Sequence, residues 1–186
     1  MSLKVMKILP VNTNILNCGS YLIFLKSEVF QDTWTMQIEL YSAEFLNFVE
    51  FNITGNNDEY RRCDEESRYM DSMVFYIFQP CFEESNKTYD YFAGTKYNSR
   101  KIIVLRNELM ENLKKLEMIA TCEEFVELIS GRFMGKDLIT YFAEEDSQWQ
   151  SYWKEYNRKI IGVNKDLIDL AEKCAFDERV LWVIGY

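Results

Sequence analysis

"RVLWVIGY", residues 179–186, ends the chain on a near-continuous apolar run, directly after the helix-like "KDLIDLAEKCAF" at 165–176. Short and dominated by Val, Leu, Ile and Trp, it reads as a buried strand over 179–185. A strand returning after a helix-rich stretch decides the class. Strands first, helices next and a strand last describe an α+β fold. The expected architecture is a mostly antiparallel sheet built from the N-terminal half plus this last strand. Three to four helices from residues 106–176 pack on one face.

The helical half carries its own punctuation. "RNELMENLKKLEMI" (106–119) sets Leu109, Leu113 and Leu116 on one stripe. Thr121 and Glu124 form a T-x-x-E capping box ahead of "FVELI", and Gly131 stands where a left-handed helix end is wanted. Ser147 and Gln150 suggest a second box. Gly162 then closes that helix, and Asn164 opens the next.

Residues 1–105 read as strand-rich. "TWTMQIELY" (33–41) alternates Trp34, Met36, Ile38 and Leu40 with polar side chains, the period-two pattern of a sheet with one wet face. "SYLIFLK" (20–26), "MVFYIFQ" (73–79) and "KIIVL" (101–105) are apolar nearly throughout, which fits strands covered on both faces. "SAEFLNFVEFNITG" (42–55) is ambiguous: Phe45, Phe48 and Val49 suit a helix capped by Ser42, while Val49, Phe51 and Ile53 suit a strand, the reading preferred for its second half. "TGNNDEYRRCDEESRYMD" (54–71) has the turn residues and charge of an exposed connection. No internal repeat or composition shift divides the 186 residues, so 1–186 is expected to be a single domain: strand-rich 1–105, helix-rich 106–176, terminal strand 179–185.

Composition excludes more than it assigns. The longest uninterrupted apolar runs are five residues, against about 20 for a membrane span. The first 25 residues do not read as a secretory signal, because Pro10, Asn12, Asn14 and Asn17 interrupt any apolar core. Five separated cysteines without a C-x-x-C pair point to reduced thiols and a cytoplasmic protein. The N-x-T sequons at Asn52 and Asn86 are then chance matches. Thirty acidic against 21 basic side chains, a formal charge of -9, oppose nucleic-acid binding and favour a basic protein partner.

No histidine occurs. Ser-His-Asp and Cys-His catalysis and His-ligated zinc are therefore excluded. "GRFMGKD" (131–137) resembles a phosphate-binding loop only superficially. It lacks a residue between the glycines, has Asp137 where a hydroxyl is needed, and follows a helix-like segment. Cys122 sits in the first turn of a helix, but Glu123 and Glu124 oppose a thiolate there. No catalytic residue, metal site or cofactor is assigned, and enzymatic activity stays open with a lean against it.

Two acidic runs, Asp64-Glu65-Glu66 and Glu144-Glu145-Asp146, are the candidate partner-binding residues, with Tyr60, Tyr69, Tyr89 or Tyr91 as exposed aromatic anchors. Trp149, Tyr152, Trp153 and Tyr156 recur on one helical face within "DSQWQSYWKEYNRK" (146–159). That stripe suits either a helix facing its own sheet or an interface, including the seam of a homodimer. The expected function is a non-catalytic, acidic protein-binding module, of the kind an immunity-type inhibitor of a basic enzyme would be. The alternative is a carboxylate-based hydrolase or small-ligand binder with a pocket between sheet and helices.

Overall fold

The computed structural model of the chain describes residues 36–42 and 47–185. These belong to one unit, Thr33–Tyr186. The strand expected at 20–26 and residues 33–35 fall outside the described residues.

The terminal run forms β4 (Leu181–Gly185), flanked on both sides in a four-stranded sheet. With β1 (Phe48–Asn52), β2 (Arg68–Asp71) and β3 (Thr95–Tyr97) the order is β2-β1-β4-β3, and every neighbouring pair is antiparallel. Glu50 pairs with Ile184, Phe51 with Val183, and Val183 in turn with Thr95. Because side chains alternate across a strand, Val49, Phe51, Leu181 and Val183 enter the main core, while Glu50, Asn52, Trp182 and Ile184 lie on the other face.

That second face is satisfied by the connection after β1. Glu50 is fully buried, and its Oε1 accepts from the Cys63 N–H at 2.8 Å and the Ser67 hydroxyl at 2.7 Å. The Asn52 amide donates to Arg61 O at 2.8 Å, and the Trp182 indole donates to Asn56 O at 2.8 Å. Tyr60 packs on Trp182 at 4.7 Å. The connection is largely solvated up to Glu66, yet pinned from beneath by buried polar groups that need partners, and Arg68–Asp71, read from sequence as part of it, is instead strand β2 with Tyr69 and Met70 buried.

Among the described residues five helices complete an α+β fold: α1 (Ser72–Ser85), α2 (Ser99–Glu117), α3 (Cys122–Ser130), α4 (Gly135–Glu145) and α5 (Trp153–Phe176). Two of them correct strand expectations. "MVFYIFQ" lies inside α1. The Asp71 carboxylate caps it by accepting from Met73 N at 2.7 Å, and the buried residues Val74, Phe75, Phe78, Cys81, Phe82 and Ser85 follow a helical period. Seven residues read alone hide that period, since an apolar run suits a buried helix as well as a strand. "KIIVL" opens α2. Ile102 and Leu105 are buried while Ile103 and Val104 are exposed, and the buried set continues through Leu109, Asn112 and Leu116.

The segment 33–41 joins the sheet, among its described residues, only through a single bridge between Tyr41 and Tyr69. Its alternation is nonetheless physical: Met36, Ile38 and Leu40 pack on the core while Gln37 and Glu39 face water. Tyr69 itself is buried and is not an exposed anchor.

The capping box at Thr121 and Glu124 is present at the start of α3. Gly131 ends that helix at φ −74, not left-handed, and Met134 takes the positive φ of 52 instead. Gly135 is required by close approach: a Cβ there would lie 1.8 Å from Ile129 O. No second box forms at Ser147. Trp149–Tyr152 is a short 3-10 turn, and α5 runs unbroken past Gly162 and Asn164. Asn164 stays helical because its buried side chain finds partners across the helix pair. It donates to Leu109 O at 2.9 Å and accepts from the Asn112 amide at 2.9 Å.

Candidate binding surface

Three elements enclose a groove at one side of the helices. α4 supplies Tyr141, Phe142 and Glu145, with Asp146 as its C-cap; α5 supplies Tyr156 and Lys159; the segment 36–39 forms the third wall. The groove has a volume of ≈ 580 Å³. Its geometry follows from local rules. Residues three and four apart on a helix share a face, which aligns Tyr141 with Glu145 and Tyr156 with Lys159. Asp146 is held where α4 ends: its N–H donates to Phe142 O, and its Oδ1 accepts from Gln148 N at 2.8 Å. Phe142 is buried beneath, with the Tyr156 ring 4.5 Å away. The third wall is tied down by the Met36 N–H, which donates to the Tyr141 hydroxyl at 2.6 Å.

The lining carries three carboxylates, Glu39, Glu145 and Asp146, against one ammonium, Lys159. Burial raises the Tyr156 pKa, and the Asp146 and Glu145 charges raise it further. Tyr141 is raised by burial first, with its hydrogen bond from Met36 opposing and Glu145 adding. Both tyrosines therefore stay neutral through the physiological range and present ring faces and hydroxyls, not anions.

A second feature is a strip of aromatic rings, in which the Tyr76 pKa is raised by burial first and then by its hydrogen bond with Tyr91. Phe92, Tyr91, Tyr76 and Phe133 form a chain of ring contacts at 5.1, 5.6 and 5.0 Å. Its two ends are bare: Phe92 is 85% exposed and Phe133 64%. Phe92 is set by a turn in which its N–H donates to Asp90 Oδ1 at 2.9 Å. Phe133 projects from the α3–α4 connection, beside Met134 in its left-handed conformation. Neither phenylalanine carries a pattern signal in the sequence. "GRFMGKD" draws attention there as a failed phosphate loop, while its structural content is the exposed Phe133.

The predicted site residues separate. Glu145, Asp146 and Tyr156 come together in the groove, and Glu144 is exposed on α4 without lining it. Asp64 borders a different, shallower cavity with Tyr60 and Arg61. Its neighbour Glu66 pairs with Arg179 at 3.0 Å, and Glu65 is exposed. Trp149 is buried against Phe125 and Phe142, Trp153 rests on Phe125, and Tyr152 points outward at 56% exposure. The helical face drawn through these four residues is interrupted where the 3-10 turn meets α5.

Between sheet and helices, Phe51, Phe75, Phe82 and Tyr97 are fully buried and in ring contact with one another. Among the described residues no set of three Cys, Asp or Glu side chains is gathered as a metal ion requires. The Cys122 thiol is raised by burial and then by Glu123, the wrong direction for a nucleophile. Cys63 is disulfide-bonded, which corrects the expectation of reduced thiols throughout, whereas Cys81, Cys122 and Cys174 are free. Both sequon asparagines are buried, with amides donating to Arg61 O and Lys96 O. Among the described residues no helix is long and apolar enough to cross a membrane. Comparison with protein-family models, curated proteins and solved structures returned no match.

Proposed function

We propose that the chain is a non-catalytic, acidic protein-binding module that docks a basic partner protein. Its charge and size suit an immunity-type inhibitor that covers the basic groove of an enzyme. One observation carries this proposal: Phe92 and Phe133 stand bare at the ends of a packed aromatic strip. Holding two large rings in water forgoes roughly 2 kcal/mol of burial apiece, a loss that docking recovers. Aromatic side chains are also the favoured anchors of interfaces, and a net charge of -9 steers a basic partner toward them.

A carboxylate hydrolase has less to work with. Glu39 and Glu145 are exposed, so the groove lacks the apolar enclosure that separates a catalytic acid from a catalytic base. We assign the module to a cytoplasm on the three free thiols among its described residues; the Cys63 disulfide is the opposing sign, and thiol alkylation of protein isolated without reductant decides between them.

The test is capture of a partner with the tagged chain, followed by binding kinetics with the purified partner at low and high salt. The expected partner is basic, associates more slowly in high salt, and dissociates faster from the Phe92→Ala/Phe133→Ala variant. An unchanged dissociation rate in that variant overturns the docking face, and turnover of a substrate by the isolated chain overturns the non-catalytic assignment.

A further inference from the structure

We propose that the groove between α4, α5 and the segment 36–39 receives an arginine side chain of the partner. The inference rests on the basic-partner reading above and adds the chemistry of recognition. Its support is shape, charge and wall material taken together. The cavity of ≈ 580 Å³ is far larger than one side chain, so it admits a guanidinium together with flanking backbone. Glu39, Glu145 and Asp146 outnumber Lys159, and none of the four joins an ion pair among the described residues. The walls are aromatic: Tyr156 lies against buried Phe142, and Tyr141 is fixed by Met36 N.

A planar guanidinium uses both features at once. It stacks on an aromatic face while its N–H groups fork onto carboxylates, which a compact ammonium does less well. Neighbouring carboxylates stand at the end of α4, Glu145 on the last helical residue, in a hydrogen bond with Tyr141, and Asp146 on the cap. The Asp146 Oδ1 already accepts from Gln148 N, which holds that carboxylate still for an incoming donor.

The probe is a triarginine peptide, acetylated and amidated, titrated into 15N-labelled protein at low salt, with trilysine and triglutamate as comparisons. Amide shifts are expected at Tyr141, Glu145, Asp146 and Lys159, with trilysine weaker and triglutamate without effect. The Glu145→Gln/Asp146→Asn variant should bind about fivefold more weakly, the factor that one to two exposed charge pairs supply. Tyr156→Phe should keep the affinity and Tyr156→Ala lose it, with thermal melts verifying that each variant is folded. Shifts confined to other surfaces, equal affinity in the Glu145→Gln/Asp146→Asn variant, or no saturable shift overturn the arginine subsite. If a whole basic partner still docks through Phe92 and Phe133 in that case, only this inference fails; loss of that docking as well removes the reading beneath it.

Discussion

The Asn112 amide donates to Asn164 Oδ1 at 2.9 Å inside the seam between α2 and α5, where both residues are at most 4% exposed. Each has a second partner. Asn164 donates to Leu109 O, and Asn112 accepts from Arg132 at 3.0 Å. Two helices that could slide along an apolar seam are thereby given one register. Asn164→Ala strands the Asn112 amide and removes the donor to Leu109 O. It should cost about 2–3 kcal/mol in urea unfolding. The Asn112→Ala/Asn164→Ala double variant should cost less than the two single losses added, because the shared bond is counted once.

Gly162 and Gly135 should respond in opposite directions to alanine. Gly162 is an exposed position inside α5 with nothing within 4 Å of an added Cβ. Gly162→Ala should raise stability by about 0.5–1 kcal/mol by restricting the unfolded chain. Gly135→Ala drives a methyl into Ile129 O and should lower stability by about 1–3 kcal/mol. Thermal melts of both variants check the pair.

Stability should fall in alkali. Burial raises the Cys174 thiol from 9.0 to about 11 and the Cys81 thiol to about 12, and it raises Tyr89 and Tyr97 as well. A group raised on folding holds its proton longer in the native state. Its contribution is intact below the unfolded pKa and is lost as pH climbs toward the folded one. Between pH 9 and 11 each thiol should therefore remove about 1.4 kcal/mol per pH unit. Urea midpoints measured across that window should decline, and Cys174→Ala should flatten the decline relative to its own value at pH 8.

The bare phenylalanines should be nearly silent in stability. Phe92→Ala and Phe133→Ala remove rings that are mostly in water, so unfolding free energy should move by about 0.5 kcal/mol or less. Phe75→Ala, a fully buried ring among Phe51, Phe82 and Tyr89, should cost about 3–5 kcal/mol. A large loss from Phe133→Ala would assign that ring to packing instead of docking.

Local signals carried a good part of the architecture. The Thr121–Glu124 box, the strand in "FVEFN" and the terminal strand each depend on neighbours in sequence, and each is found where those neighbours put it. The acidic run at 144–146 was also legible as charge, though not which of its members face the groove. Asn164 and Gly162 misled because their usual roles at helix ends are weak preferences. A hydrogen bond 52 residues away overrode one, and the stability of a 24-residue helix absorbed the other.

Taken alone, the amino-acid order determined the α+β class, the exclusion of histidine chemistry and the Thr121–Glu124 cap, because these follow from composition and from spacings of four residues or fewer. Only the tertiary structure decided that "MVFYIFQ" and "KIIVL" are helical, since an apolar run of five to seven residues is buried equally well in either conformation until its neighbours are in place. It alone decided which aromatics are covered and which are bare. The groove belongs to the same category: Met36 meets Tyr141 across 105 positions of chain, a distance over which no periodicity in sequence carries information.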